Sequence, residues 1–198
     1  MPLEPFQNFS STLLPLRMDD VDTDQIIPAR FLIATGKGGY GENLFRDLRF
    51  DAQGKLRMEF PLNNPQYKGA NILLAHKDFG SGSSREHAVW ALVGYGFKAV
   101  IAITFGDIFK NNCYKNGLLP IALPEEIVDQ MHEETLQNSK EEATINLNDQ
   151  TVRWKGKNHR FDIEPFIKTC LCDGVDEIGY ILKHTEDITA YEEKNINP

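Results

Sequence analysis

Residues 78–90 read DFGSGSSREHAVW, with two glycines, three serines and Arg85 inside the six positions from Gly80 to Arg85. The stretch follows an apolar run, Asn71 to Ala75, and precedes a segment with Ala88, Leu92 and Tyr95 at helical spacing. A strand-to-helix turn leaves backbone N–H groups unpaired, and the helix dipole favours negative charge there. Two readings fit. In the plainer one, Ser83 and Glu86 form a capping box, each satisfying a backbone N–H of the other's segment, worth about 1 kcal/mol. In the second, Gly80 and Gly82 let the backbone approach a ligand closely, and Ser83 and Ser84 line a concave anion site. The planar fork of Arg85 then meets a carboxylate or a phosphate. Capping leaves the two glycines, the second serine and the arginine unexplained, so anion binding accounts for more of the residues.

Other phosphate and nucleophile motifs fail on spacing. A dinucleotide fingerprint needs glycine where Arg85 stands, and neither a P-loop nor a G-x-S-x-G elbow occurs. Near the N-terminus, MDDVDTDQIIPARFL carries Asp19, Asp20, Asp22 and Asp24. Three of these match the opening of a calcium loop, but Gln25 replaces its glycine and Phe31 its closing glutamate. A solvated acidic turn is the simpler reading. Arg30 is a candidate carboxylate partner, or an exposed arginine pairing with the acidic loop. Leu32 and Ile33 form an apolar pair before the glycines at 36, 38, 39 and 41. His87 reads as a helix-face or core histidine more readily than a catalytic one, and His132, His159 and His184 show no ligand spacing.

The elements that must position these residues alternate. NILLA, AVIAITF and LLPIAL read as buried strands, separated by the helix-compatible segments SSREHAVWALVGYG and GDIFKNNCYKNG. Such alternation predicts right-handed crossovers and an α/β fold, with a largely parallel central sheet flanked by helices. Ser11 to Arg17 is a further strand, and LRFDAQGKLRMEF an irregular excursion or hairpin around Gly54. Pro124 to Gln137 reads as a helix, ATINL, TVRW and HRFDI as a meander, and EPFIKTCLCDG as a helix ending at Gly174. A partly helical segment follows, with KNINP as a frayed tail. No linker appears, so residues 1–198 are expected to form a single domain.

Composition narrows the partners. A net charge of −8 argues against a nucleic-acid partner, no apolar run reaches the length of a membrane span, and no secretory leader pattern opens the chain. A cytoplasmic location is the expectation. Cys113, Cys170 and Cys172 are too few and wrongly spaced for a disulfide framework or an iron–sulfur cluster, so no metal is expected on this chain.

GSSREHA, followed by AVIAITFGDIFKNNCYKNGLLPI, resembles the swivel domain of the aconitase superfamily, a swivelling β/β/α domain. Together with DDVDTDQIIPARFL, the set is similar to the small subunits of bacterial 3-isopropylmalate dehydratases. The similarity covers nearly the whole chain. It implies that Ser83 is the base that removes a carbon-bound proton, and that Ser84 and Arg85 hold a substrate carboxylate. It further implies that Thr23 and Asp24 lie at the edge of the site, with Asp24 orienting a neighbouring polar group. The IPARFLIATG region, with Arg30, Leu32 and Ile33, would select the substrate's variable side chain; an isopropyl group needs an apolar wall. A [4Fe-4S] cluster acting as Lewis acid on the departing hydroxyl is implied for the large subunit, the expected partner, with isopropylmalate as substrate. Rival expectations are a small subunit acting on citraconate, methylmalate or homoaconitate, and a non-catalytic anion-binding module of the same fold.

Overall fold

The apolar runs in the middle of the chain become parallel strands, as near-continuous hydrophobic segments do when both faces of a sheet are covered. The computed structural model describes residues 3–32, 39–82 and 85–196. In chain order it contains β1 (Phe9–Pro15), α1 (Thr23–Ile26), α2 (Arg46–Arg49), β2 (Ile72–Leu74), α3 (Glu86–Tyr95), β3 (Ala99–Ala102), α4 (Asp107–Lys115) and β4 (Leu119–Ala122). There follow α5 (Glu125–Gln137), β5 (Glu142–Asn146), β6 (Thr151–Trp154), β7 (Lys157–Arg160), α6 (Pro165–Asp173), α7 (Glu177–Lys183) and α8 (Thr185–Ile196).

One sheet takes the order β4-β3-β2-β1-β5-β6-β7. The β1–β2, β2–β3 and β3–β4 pairs are parallel, and β1–β5, β5–β6 and β6–β7 are antiparallel. Alternation along the strands feeds two cores. Leu14, Leu73 and Val100 face a cluster with Ala88, Leu92, Phe109 and Cys113, so α3 and α4 cover that face. Leu13, Ile72, Leu74 and Ile101 face Val128, Met131 and Leu171, so α5 and α6 cover the other. The fold is α/β, with the parallel strands β4-β3-β2-β1 forming one half of the sheet, antiparallel pairing beyond β1, and helices on both faces. No helix among the described residues is long and apolar enough to cross a membrane.

Three boundaries differ from expectation. β1 starts at Phe9, two residues early, because Phe9 to Thr12 pair with β5 before Leu13 to Pro15 pair with β2. The last meander strand is Lys157–Arg160 rather than HRFDI. Lys155 and Gly156, at φ 46° and 75°, form a two-residue hairpin turn that pairs Trp154 with Lys157. At the C-terminus, Lys194 to Ile196 continue α8 instead of fraying.

Candidate active site

The parallel strands end on one edge, and the segments leaving them stay paired beyond the sheet. The Asp20 N–H donates to Lys77 O (2.9 Å), Gly80 N–H to Val21 O (2.7 Å) and Thr23 N–H to Ser81 O (3.1 Å). On the other flank, Phe79 N–H donates to Thr104 O (3.1 Å) and Gly106 N–H to Phe79 O (3.0 Å). The glycine–serine turn is therefore held between the acidic segment after β1 and the segment after β3. This is the carboxyl edge of parallel strands, where open α/β sheets bind ligands. Gly80 has no substitute: its φ is +76°, and a Cβ there would fall inside the Phe109 ring. That ring is 2% exposed and packs edge-on to the fully buried Phe79, with centroids 5.5 Å apart. Gly106 is equally constrained, since its Cβ would meet the Gly80 carbonyl.

The acidic segment is a structured helix start rather than a solvated turn. Asp22 caps α1, its Oδ1 accepting from Gln25 N–H (2.7 Å) while Gln25 Oε1 accepts from Asp22 N–H (3.0 Å). A reciprocal capping box thus stands here; the one expected at Ser83 and Glu86 involves Ser83, which lies outside the described residues. At α3 the N-cap position belongs to Arg85, whose side chain caps nothing, and Glu86 is the first helical residue. Glu86 Oε1 accepts from Asn116 Nδ2 (2.8 Å), at the end of α4.

The capping box leaves Thr23 buried, at 2% exposure, and points Asp24 outward. Arg85 Nη1 pairs with Asp24 Oδ1. The arginine side chain is 24% exposed and the aspartate 55%, so the guanidinium lies partly sheltered. Two motifs separated by 61 residues meet in this one ion pair. Ser83 and Ser84 lie outside the described residues, as does Ile33.

Arg30 stands elsewhere. Its fork grips both carboxylate oxygens of Asp47 on α2, and its guanidinium lies 4.6 Å from the centre of the Phe31 ring. The hydrogen bond from Arg30 holds the Asp47 carboxyl below the usual range. Arg30 thus has an acidic partner, but on α2 and not in the acidic loop. Leu32 packs, partly buried, against the core under α3. His87 joins Tyr40 and Trp90 in an aromatic group, with centroids 5.4 and 4.5 Å away. Its packing matches a helix-face histidine.

Sequence reasoning passed over His76. Its imidazole follows β2 directly and joins two carboxylates: Nδ1 meets Asp19 Oδ1, and Nε2 meets Asp129 Oδ1 on α5 at 3.1 Å. Arg17 Nη2 also reaches Asp129 (2.6 Å). Burial pulls the imidazole down, but the two carboxylate hydrogen bonds outweigh it and hold its pKa above 6.5. In return His76 holds Asp19 and Asp129 below the usual carboxylate range. The group clasps the acidic segment to α5. A histidine at the carboxyl end of a buried parallel strand was the available signal.

The cysteines do not fit an iron–sulfur cluster. Cys113 is fully buried and burial pushes its thiol well up, while burial and then nearby acids raise Cys170. All three are free thiols, and no group of three or more His, Cys, Asp or Glu among the described residues could hold a metal ion.

Residues 3–126 match the family model of the aconitase C-terminal domain. The chain is 48% identical to the 3-isopropylmalate dehydratase small subunit of Roseiflexus castenholzii, over 96% of this chain and 94% of that one. It is 46% identical to the protein of the same name from Lactococcus lactis subsp. cremoris, covering 98% of this chain and 100% of the relative. A solved structure described as 3-isopropylmalate dehydratase from Methanocaldococcus jannaschii superposes with a TM-score of 0.67 at 26% identity, covering 93% of this chain and 99% of that one. The resemblance carried by GSSREHA and DDVDTDQIIPARFL is borne out, and the chain belongs to the aconitase C-terminal domain family, among the small subunits of 3-isopropylmalate dehydratase.

Proposed function

We propose that the chain is the small subunit of a 3-isopropylmalate dehydratase, a hydro-lyase that works only with its large subunit. The complex interconverts 2-isopropylmalate and 3-isopropylmalate through isopropylmaleate, in leucine biosynthesis in the cytoplasm. The observation that carries this reading is the Arg85–Asp24 pair, which joins the two motifs shared with the family at the open edge of the parallel strands. Arg85 is a fixed, partly sheltered cation, and its remaining donors suit a substrate carboxylate. Asp24 orients it. Thr23, in the same helical turn, lies at the edge of the site. Ser84 adds a hydroxyl donor beside the arginine.

Ser83 takes the proton from the carbon adjacent to the one that loses hydroxide, and isopropylmaleate results. Adding water back in the opposite sense gives the isomer, with Ser83 returning the proton. A serine is a weak base unless its anion is stabilised; Arg85 and the N-terminal end of α3 supply that field. Leu32 and Ile33 form the apolar wall for the isopropyl group. Arg30, tied to Asp47, shapes this wall from outside rather than binding substrate. The [4Fe-4S] cluster belongs to the large subunit in this reading, since the cysteines here do not fit one.

The test is to copurify the chain with its large subunit and assay the complex on isopropylmalate and citraconate. Turnover of isopropylmalate at the higher kcat/KM supports the reading; preference for citraconate assigns the chain to a related hydro-lyase. Ser83→Ala should leave assembly intact and lower kcat by a factor of about 10²–10⁴, the usual contribution of a positioned base. Near-normal turnover in the assembled variant would overturn the role of Ser83.

A further inference from the structure

Arg85 and Glu86 are consecutive, of opposite charge, and sit at the N-cap and first position of α3. Arg85 already holds one carboxylate, Asp24, and a second one on its remaining donors would compete with whatever anion they bind. The structure keeps Arg85 and Glu86 apart. Arg85 turns to Asp24 on α1, and Glu86 turns to Asn116 at the end of α4.

The Asn116 amide is held in one orientation. Nδ2 donates to Glu86 Oε1 (2.8 Å) and to the Asn112 carbonyl (2.9 Å), while Oδ1 accepts from the Trp90 indole N–H (2.9 Å). An indole only donates and an ionised carboxylate only accepts, so the amide fits one way round. Trp90 lies four residues beyond Glu86, so Asn116 grips the opening turn of α3 at two points. On its far side, Glu86 lines a groove of about 450 Å³ with Lys115, Asp176 and Glu177. If released, Glu86 meets two acids and one lysine in the groove, and otherwise the donors of Arg85 that Asp24 does not occupy.

We propose that Asn116 is a positioning residue for substrate binding, holding the Glu86 carboxylate away from Arg85 so that the guanidinium stays available to an incoming carboxylate. This rests on the reading of Arg85 as the carboxylate binder.

The test is steady-state kinetics of the assembled two-subunit enzyme on isopropylmalate between about pH 5.5 and pH 8.5, chosen to span the loss of a proton shared by two carboxylates. Asn116→Asp keeps the shape and the acceptor for Trp90, but sets a second carboxylate against Glu86. At low pH one proton bridges the two; as pH rises it leaves, and Glu86 is expelled towards Arg85. The expected result is a KM that climbs about tenfold with pH, as for loss of a charged hydrogen bond, with kcat far less affected. Adding Glu86→Gln removes the displaced charge and returns a donor to the pair, so KM should fall back towards wild type and lose its pH step. A KM for Asn116→Asp that parallels the wild type across the range overturns the proposal. So does a loss confined to kcat, or one that Glu86→Gln does not relieve. Arg85→Lys in the same assay separates the two readings. Unchanged kcat/KM in that variant removes Arg85 from the substrate site. An impaired Arg85→Lys beside a flat Asn116→Asp profile refutes only the role of Asn116.

Discussion

Acidification from pH 7 to pH 5 is expected to remove about 2 kcal/mol of stability through one buried ring, His132 on α5. The side chain is 0% exposed, and Nε2 donates to the Ala75 carbonyl at 3.0 Å, where β2 gives way to His76. Nδ1 is buried with no partner among the described residues. The folded ring is therefore neutral, with its hydrogen on Nε2. Protonating it would bury a second N–H with no acceptor, and desolvation pushes its pKa from 6.5 down to about 4, with His76 and Arg17 adding repulsion. Between those values the unfolded chain binds a proton that the folded chain refuses. The contribution is thus present above pH 6.5 and lost as pH falls through about 4. At about 1.4 kcal/mol per pH unit the whole gap is worth about 3 kcal/mol, of which about 2 has gone by pH 5. His76 has the opposite sign, because its folded pKa is raised: its stabilisation is complete below 6.5 and fades as pH rises through the folded value. The wild-type profile therefore mixes the two, and His132→Gln isolates one, since glutamine can still donate to Ala75 but does not titrate. Urea denaturation of both proteins at pH 7, 6 and 5 gives the comparison. The stability of wild type relative to the variant should fall by about 2 kcal/mol over that range. A difference that stays constant within extrapolation error would refute the assignment of a neutral, orphaned ring.

Gly80→Ala should cost about 2–5 kcal/mol, adding a left-handed backbone to overpacking against Phe109. Denaturant midpoints check it, and a cost below about 1 kcal/mol would show that the turn yields easily. The same variant, if it assembles, should lose kcat/KM, because residues 78–82 carry the backbone pairing with the acidic segment. Arg85→Lys keeps the charge but loses the fork, so kcat/KM on isopropylmalate should drop by about tenfold or more.

The parallel half of the fold was legible because its strands are covered on both faces. NILLA and AVIAITF are nearly continuous apolar runs, and the helix between them ends at Gly96. The misplaced β7 has an equally physical cause: in KNHR the side chains are mostly exposed, so no hydrophobic alternation marks the strand. It forms because the Lys155–Gly156 turn folds it onto β6. The tail failed differently. The residues of α8 up to Asn195 are exposed, so helix propensity rather than burial extends it, and no periodicity announces that.

Within the site, the serine–arginine turn could be read because its composition is costly without a ligand. Its geometry could not. The GSSRE spacing suits a capping box as well as DTDQ does, and only the hydrogen bonds of the folded chain show that Asp22 and Gln25 form one. His76 escaped for a related reason: a single histidine has no spacing to recognise, and its two partners come from segments 57 and 53 residues away.

The backbone ladder between residues 20–24 and 77–81 makes these separate failures one. Asp20, Val21 and Thr23 pair with Lys77, Gly80 and Ser81, so the two segments are a continuation of the β1–β2 pairing beyond the last strand residues. Anything that fixes the register of Leu13 against Ile72 also carries Asp24 to Arg85, without a contact needing to be encoded at either motif. Neither motif by itself contains the pair, which is why DTDQ alone reads as an acidic turn and GSSRE alone as a helix cap. The chemistry lies in the register of two buried strands, and substitutions in the β1–β2 core that shift it would separate Asp24 from Arg85 while leaving both residues in place.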